Sequence, residues 1–84
     1  MVRSSNICIY VKDGCTFQIK NSSWIRLANI CVPDVGEDGY IEAKELLSNL
    51  ILHKEIIHEQ VGTSYNRIIA EVWVRGINVN KYMQ

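Results

Sequence analysis

The sequence predicts a mainly β fold with one or two helices: five strands, with a helix between the third and the fourth. Three observations predict it. Residues 7–20 and 68–74 alternate side chains at the period of a half-buried strand. Asp13-Gly14 and Asn21-Ser22-Ser23 divide the first half into hairpin-length pieces. Only residues 40–51 bring apolar side chains round at three- and four-residue spacing.

Ile7, Ile9 and Val11 alternate with Cys8 and Tyr10 and read as the first strand. Asp13-Gly14 is a turn dipeptide, after which Cys15 to Lys20 resumes the alternation with Phe17 and Ile19 on one side. Trp24 opens a third strand, which is expected to run on until Pro33 removes a ladder donor. An acidic, glycine-containing loop over 34–39 follows. In the helix, Tyr40, Ala43, Leu46, Leu47, Leu50 and Ile51 form one stripe, and Glu42 and Glu45 suit the positive end of its dipole. Lys54 to Gln60 is a weaker fourth strand, with Ile56 beside Ile57 breaking the alternation, and 61–64 reads as a loop. Ile68, Ala70, Val72 and Val74 mark a strong fifth strand, Arg75-Gly76 a turn, and 79–83 the start of a short second helix. This order suits a five-stranded OB-type barrel, although other small α+β folds share it.

Eighty-four residues make one domain, burying about 60–65% of the extended-chain surface and leaving a thin stability margin. Nine Lys and Arg balance nine Asp and Glu, which argues against a general nucleic-acid coat but leaves a local basic groove open. The first residues lack the apolar segment of a signal peptide, and no run approaches the ~20 apolar residues of a membrane span. Three cysteines without C-x-x-C spacing signal neither a structural zinc site nor a secreted disulfide scaffold. The expectation is a cytoplasmic protein with reduced thiols.

Three pieces of the chain, in order, carry a resemblance. They are Val11-Lys12-Asp13-Gly14-Cys15-Thr16, the stretch from Arg26-Leu27 to Pro33-Asp34, and Ser64-Tyr65-Asn66-Arg67. They resemble the micrococcal (thermonuclease-like) nuclease family, whose pieces read Asp-Gly-Asp-Thr, Arg-Leu-x-x-Ile-Asp-x-Pro-Glu and Asp-x-Tyr-Gly-Arg. The resemblance spans roughly Val11 to Met83, includes Asn80 in a Val-Asn helix start, and favours the OB-type barrel. The family continues into a further C-terminal helix that this sequence lacks, and a homodimer would cover the barrel end so exposed.

What the resemblance implies is a phosphodiester site. In the family, calcium is held by two aspartates and a backbone carbonyl, two arginines neutralise the phosphate, and a glutamate helps activate water. Hard dications want carboxylate oxygens, and charge developing on phosphate wants fixed guanidinium groups. Here Arg26 and Arg67 match the arginines, Asp34 matches the glutamate, and Tyr65 matches a tyrosine beside the bound nucleotide. Asp13 and Thr16 match the first aspartate and the threonine, Val32 the residue lending its carbonyl, and Asn66 a glycine. Cys15 and Cys31 stand where the metal-binding aspartates would be.

A thiol is a soft ligand, so calcium is not expected as a cofactor; a soft metal such as zinc is the alternative. Asp13, Asp34, Glu37 or Asp38 would have to supply any replacement oxygens. Cys15 and Cys31 have three readings: small packed hydrophobes, a disulfide or soft-metal pair, or a nucleophile activated by a neighbouring arginine. Cys8 reads as core, and His53 and His58 as solvated or hydrogen-bonded. Trp24 and Trp73 read as barrel core ahead of base-stacking platforms, and a salt bridge to Asp34 or Glu71 is the plain alternative for the arginines.

Three functions are consistent with these residues. The first is a degenerate nuclease-like domain that binds nucleic acid or nucleotides through Arg26, Tyr65 and Arg67 with its calcium site lost. The second is an active phosphodiesterase, a nuclease, using a different metal with Arg26, Asp34 and Arg67 as catalytic residues. The third is a structural protein-interaction module.

Overall fold

The computed structural model describes residues 3–30 and 36–83. Its elements are β1 (Arg3–Val11), β2 (Thr16–Ile19), β3 (Trp24–Leu27), α1 (Tyr40–Ile51), β4 (Glu55–Ser64), β5 (Arg67–Val74), β6 (Ile77–Asn78) and α2 (Val79–Tyr82). β2 lies antiparallel to both β1 and β3, and β4 lies antiparallel to both β1 and β5. Parallel pairing of β3 with β5, in the register Ile25 to Ile68 and Leu27 to Ala70, joins the two ends of this sheet. The result is a closed five-stranded barrel of the OB type, with the short β6 appended to β5.

Closure removes most of the sheet's edges and turns one face of each strand inward. Phe17, Ile19, Ile25, Leu27, Ile56, Ala70, Val72 and Val74 fill the interior. Burying each of these except the small Ala70 contributes about 1.5–3 kcal/mol. From the helices come Leu47, Ile51 and Val79. α1 starts at Gly39, which takes a left-handed φ of 87° and gives no side-chain cap. The Tyr40 hydroxyl, at the helix's first residue, donates to the Lys12 carbonyl (3.0 Å) and ties α1 to the β1–β2 loop.

Four sequence expectations need correction. The alternation of β1 inverts midway: its register slips between Cys8 and Tyr10, so Cys8 and Val11 face inward while Ile7 and Ile9 are exposed. One inserted residue reverses the parity of everything before it. β3 does not run on towards Pro33 but ends at Leu27, where Asn29 turns the chain with a φ of 61°. Residues 61–64 are strand and not loop: a second bulge, between Gln60 and Gly62, carries β4 on to Ser64 in register with β5. His58 is neither solvated nor fully hydrogen-bonded, because it is 8% exposed and its Nδ1 has no partner. No helix among the described residues is long and apolar enough to cross a membrane.

Candidate functional site

The β1–β2 loop is built from its own polar groups. The Asp13 carboxylate accepts the Cys15 N–H (2.9 Å), and the Thr16 carbonyl accepts the N–H groups of Lys12 (2.9 Å) and Asp13 (3.3 Å). The Leu27 N–H donates to the Cys15 carbonyl (2.8 Å), fastening the loop to β3. Lys12 is thereby held at the rim of the barrel.

Across the rim lies the β4–β5 turn, Ser64-Tyr65-Asn66-Arg67. Its central residues have φ of 49° and 66°, the double left-handed pattern of a two-residue hairpin turn that usually employs glycine. Asn66 tolerates this conformation, in the position where the resemblance expects glycine. A tyrosine does so at a cost of roughly 1–2 kcal/mol. Tyr65 is nonetheless 95% exposed, so no packing of its ring offsets the strain. The tight two-residue connection between β4 and β5 is what holds both residues in this conformation.

Tyr10, Lys12, Trp24, Tyr65, Asn66 and Arg67 line one cavity of about 560 Å³ between the two loops. None of these six side chains is acidic, and two are cationic. Loops β1–β2 and β4–β5, with the faces of β2 and β3, are where OB-type barrels take their ligands. A cavity so lined can cradle an anion and stack a flat ring. It lies at the end of β5 away from β6.

Arg26 and Arg67 share the outer face of β3 and β5. Arg26 pairs with Ile69, and Arg67 lies two residues before Ile69 on its strand, so the two Cα atoms are diagonal neighbours ~8 Å apart. They open onto different hollows, however. Arg67 lines the cavity described above, whereas Arg26 lines an adjoining one of about 410 Å³ with Val61 and Ile69. Arg67 makes no ion pair among the described residues, and Glu71 accepts instead from the Asn78 amide (3.4 Å).

The Cys15 thiol is buried and shares a 3.6 Å contact with the Thr16 hydroxyl. Burial pushes its pKa up, outweighing a lowering by the Thr16 hydroxyl, with lesser opposing effects of Asp13 and Arg26. This protonated, packed thiol is not an activated nucleophile. Cys8 is likewise core, pushed up to about 11 by burial. No group of three His, Cys, Asp or Glu side chains converges among the described residues. Cys31, Val32 and Asp34, and hence any disulfide or metal pairing of Cys15 with Cys31, lie outside the described residues.

Neither tryptophan belongs to the core. Trp24 is half-buried on the outer wall, and Trp73 is half-buried beneath the Arg3 guanidinium, which stands 4.3 Å from the centre of its ring. Tyr10 and Lys12 were not singled out as site residues by sequence reasoning. Both had a signal in the sequence: Lys12 adjoins the Asp13-Gly14 turn, and the alternation already set Tyr10 on the face opposite Val11. No protein-family model matches the chain, and no curated protein matches it.

Proposed function

We propose that this chain is a divergent nuclease-like OB barrel that binds single-stranded nucleic acid or nucleotides through Arg26, Tyr65 and Arg67 and has lost calcium-assisted hydrolysis. The observation that carries the reading is the acid-free cavity in which Arg67, Lys12 and the strained, outward Tyr65 meet at the ligand-bearing loops of the barrel. Guanidinium and ammonium groups neutralise phosphate, and an exposed phenol ring stacks on a base whatever its identity. The donor set at position 15 supports loss of the metal. It offers a buried, protonated sulfur where a hard cation needs a carboxylate, and the Asp13 oxygen beside it is taken by a backbone N–H.

Fluorescence anisotropy with a short labelled oligothymidylate at low salt tests this reading. Arg67→Ala should weaken binding about tenfold, the scale of one charge-assisted contact. Incubation of the same oligonucleotide with calcium, magnesium, manganese and zinc in turn should leave it intact. Cleavage abolished in Arg67→Ala would replace binding with catalysis as the function.

A further inference from the structure

The outer wall beside the cavity carries an aromatic pair that neither the arginines nor Tyr65 require. Tyr10 on β1 pairs with Gln18 on β2, and Gln18 pairs with Trp24 on β3, so the three form one row across the sheet on its outer face. Tyr10 and Trp24 are two strands apart, a backbone separation of ~9–10 Å. Their rings nevertheless meet, with centroids 6.0 Å apart and planes at 83°. Only two large side chains leaning towards one another over Gln18 achieve that. The Gln18 amide is drawn aside to donate to the Ser22 carbonyl (3.2 Å).

This arch of rings is not core. Tyr10 keeps 48% of its surface exposed, and both rings line the cavity that Lys12, Tyr65 and Arg67 share. Trp24 stands opposite Arg67, one register step before the Ile25–Ile68 pair. The cavity thus holds two separate aromatic surfaces, Tyr65 on the turn and the Tyr10–Trp24 pair on the wall, with cations at its rim.

We infer that the Tyr10–Trp24 pair is a second stacking subsite, so that the preferred ligand is a single strand of at least two nucleotides with one base on Tyr65 and its neighbour on the wall. The inference rests on the binding reading above and adds to it a length and a strandedness. Bases paired in a duplex present edges to a protein, whereas unpaired bases present the faces that such rings accept. An acidic peptide would satisfy Lys12 and Arg67 but would leave two ring surfaces unused, which is why nucleic acid is preferred.

Isothermal titration of the whole chain at low salt with two probes tests this: 5′-phosphorylated dithymidylate, and the same molecule lacking its second base. Both carry the same phosphates. The complete dinucleotide should bind about 5- to 150-fold more tightly, the range of one base stacked on an aromatic side chain. Tyr10→Leu, at an exposed strand position, should erase most of that ratio. Equal affinities for the two probes in the unaltered protein, or a ratio that survives Tyr10→Leu, would overturn the subsite. The comparison in the unaltered protein stands even if the variant does not fold. Salt-sensitive binding of both probes at equal strength would spare the proposed function and remove only this inference; binding of neither would remove both.

Discussion

His58 shows how much of this protein's behaviour hangs on single side chains. It lies on β4 between Ile56, which is buried, and the first bulged residues, and its Nδ1 is buried without a partner. Burial lowers its pKa, because charging the ring there would forfeit hydration that nothing replaces. The unfolded chain takes up the proton near the ordinary histidine value of about 6.5, whereas the native state resists it. The unfolded state therefore binds more protons in the window below that value, and stability must fall as pH falls through it. Chemical denaturation between pH 7.5 and 5, above the range of ordinary carboxylates, should show a loss of stability that flattens in His58→Leu. A stability that rose on acidification would mean that His58 meets an acidic partner.

At the scale of elements, α2 is too short to be stable alone, and beside the buried Val79 one polar side chain ties it to the barrel. Asn80 is buried; its Oδ1 accepts the Val72 N–H (2.9 Å), and its Nδ2 donates to the carbonyls of Ala28 (3.0 Å) and Ala70 (3.1 Å). Those groups lie on β5 and just beyond β3, beside the parallel seam that closes the barrel, where the Ala28 N–H also donates to the Ala70 carbonyl (3.0 Å). Asn80→Ala would orphan a buried N–H, so urea denaturation should show a loss of about 3 kcal/mol. A loss below about 1 kcal/mol would mean that water or a neighbour replaces the amide. The elements themselves were largely legible in the sequence. The stripe from Tyr40 to Ile51 is α1, the run to Val74 is β5, and the polar dipeptides are turns. What periodicity missed are the two bulges, since a single added residue inverts parity without leaving a compositional trace. The early end of β3 was missed because Asn29 adopts a left-handed turn without a glycine to announce it.

Across the whole molecule, a net charge of zero conceals an uneven distribution. Glu55, Glu59 and Glu71 occupy outer positions of β4 and β5, Glu42 and Glu45 ride on α1, and the cavity between the loops has no acid at all. The sequence could place Arg26 and Arg67 by their motifs, but the company they keep depends on register. Tyr10 and Trp24 meet only because three strands align in one row, information that no single stretch of chain contains. This distribution would limit the electrostatic part of the proposed binding. A strand crossing the cavity would contact Lys12 and Arg67, and Arg26 where it extends into the adjoining hollow. Two or three neutralised phosphates on a single strand give a slope of log K against log salt of about −1.4 to −2. Titrations of an oligothymidylate across a tenfold range of salt should return a slope of that size, with a residual affinity at high salt carried by stacking. A slope steeper than about −4 would require more cations than this face presents, and would place the binding surface elsewhere on the barrel.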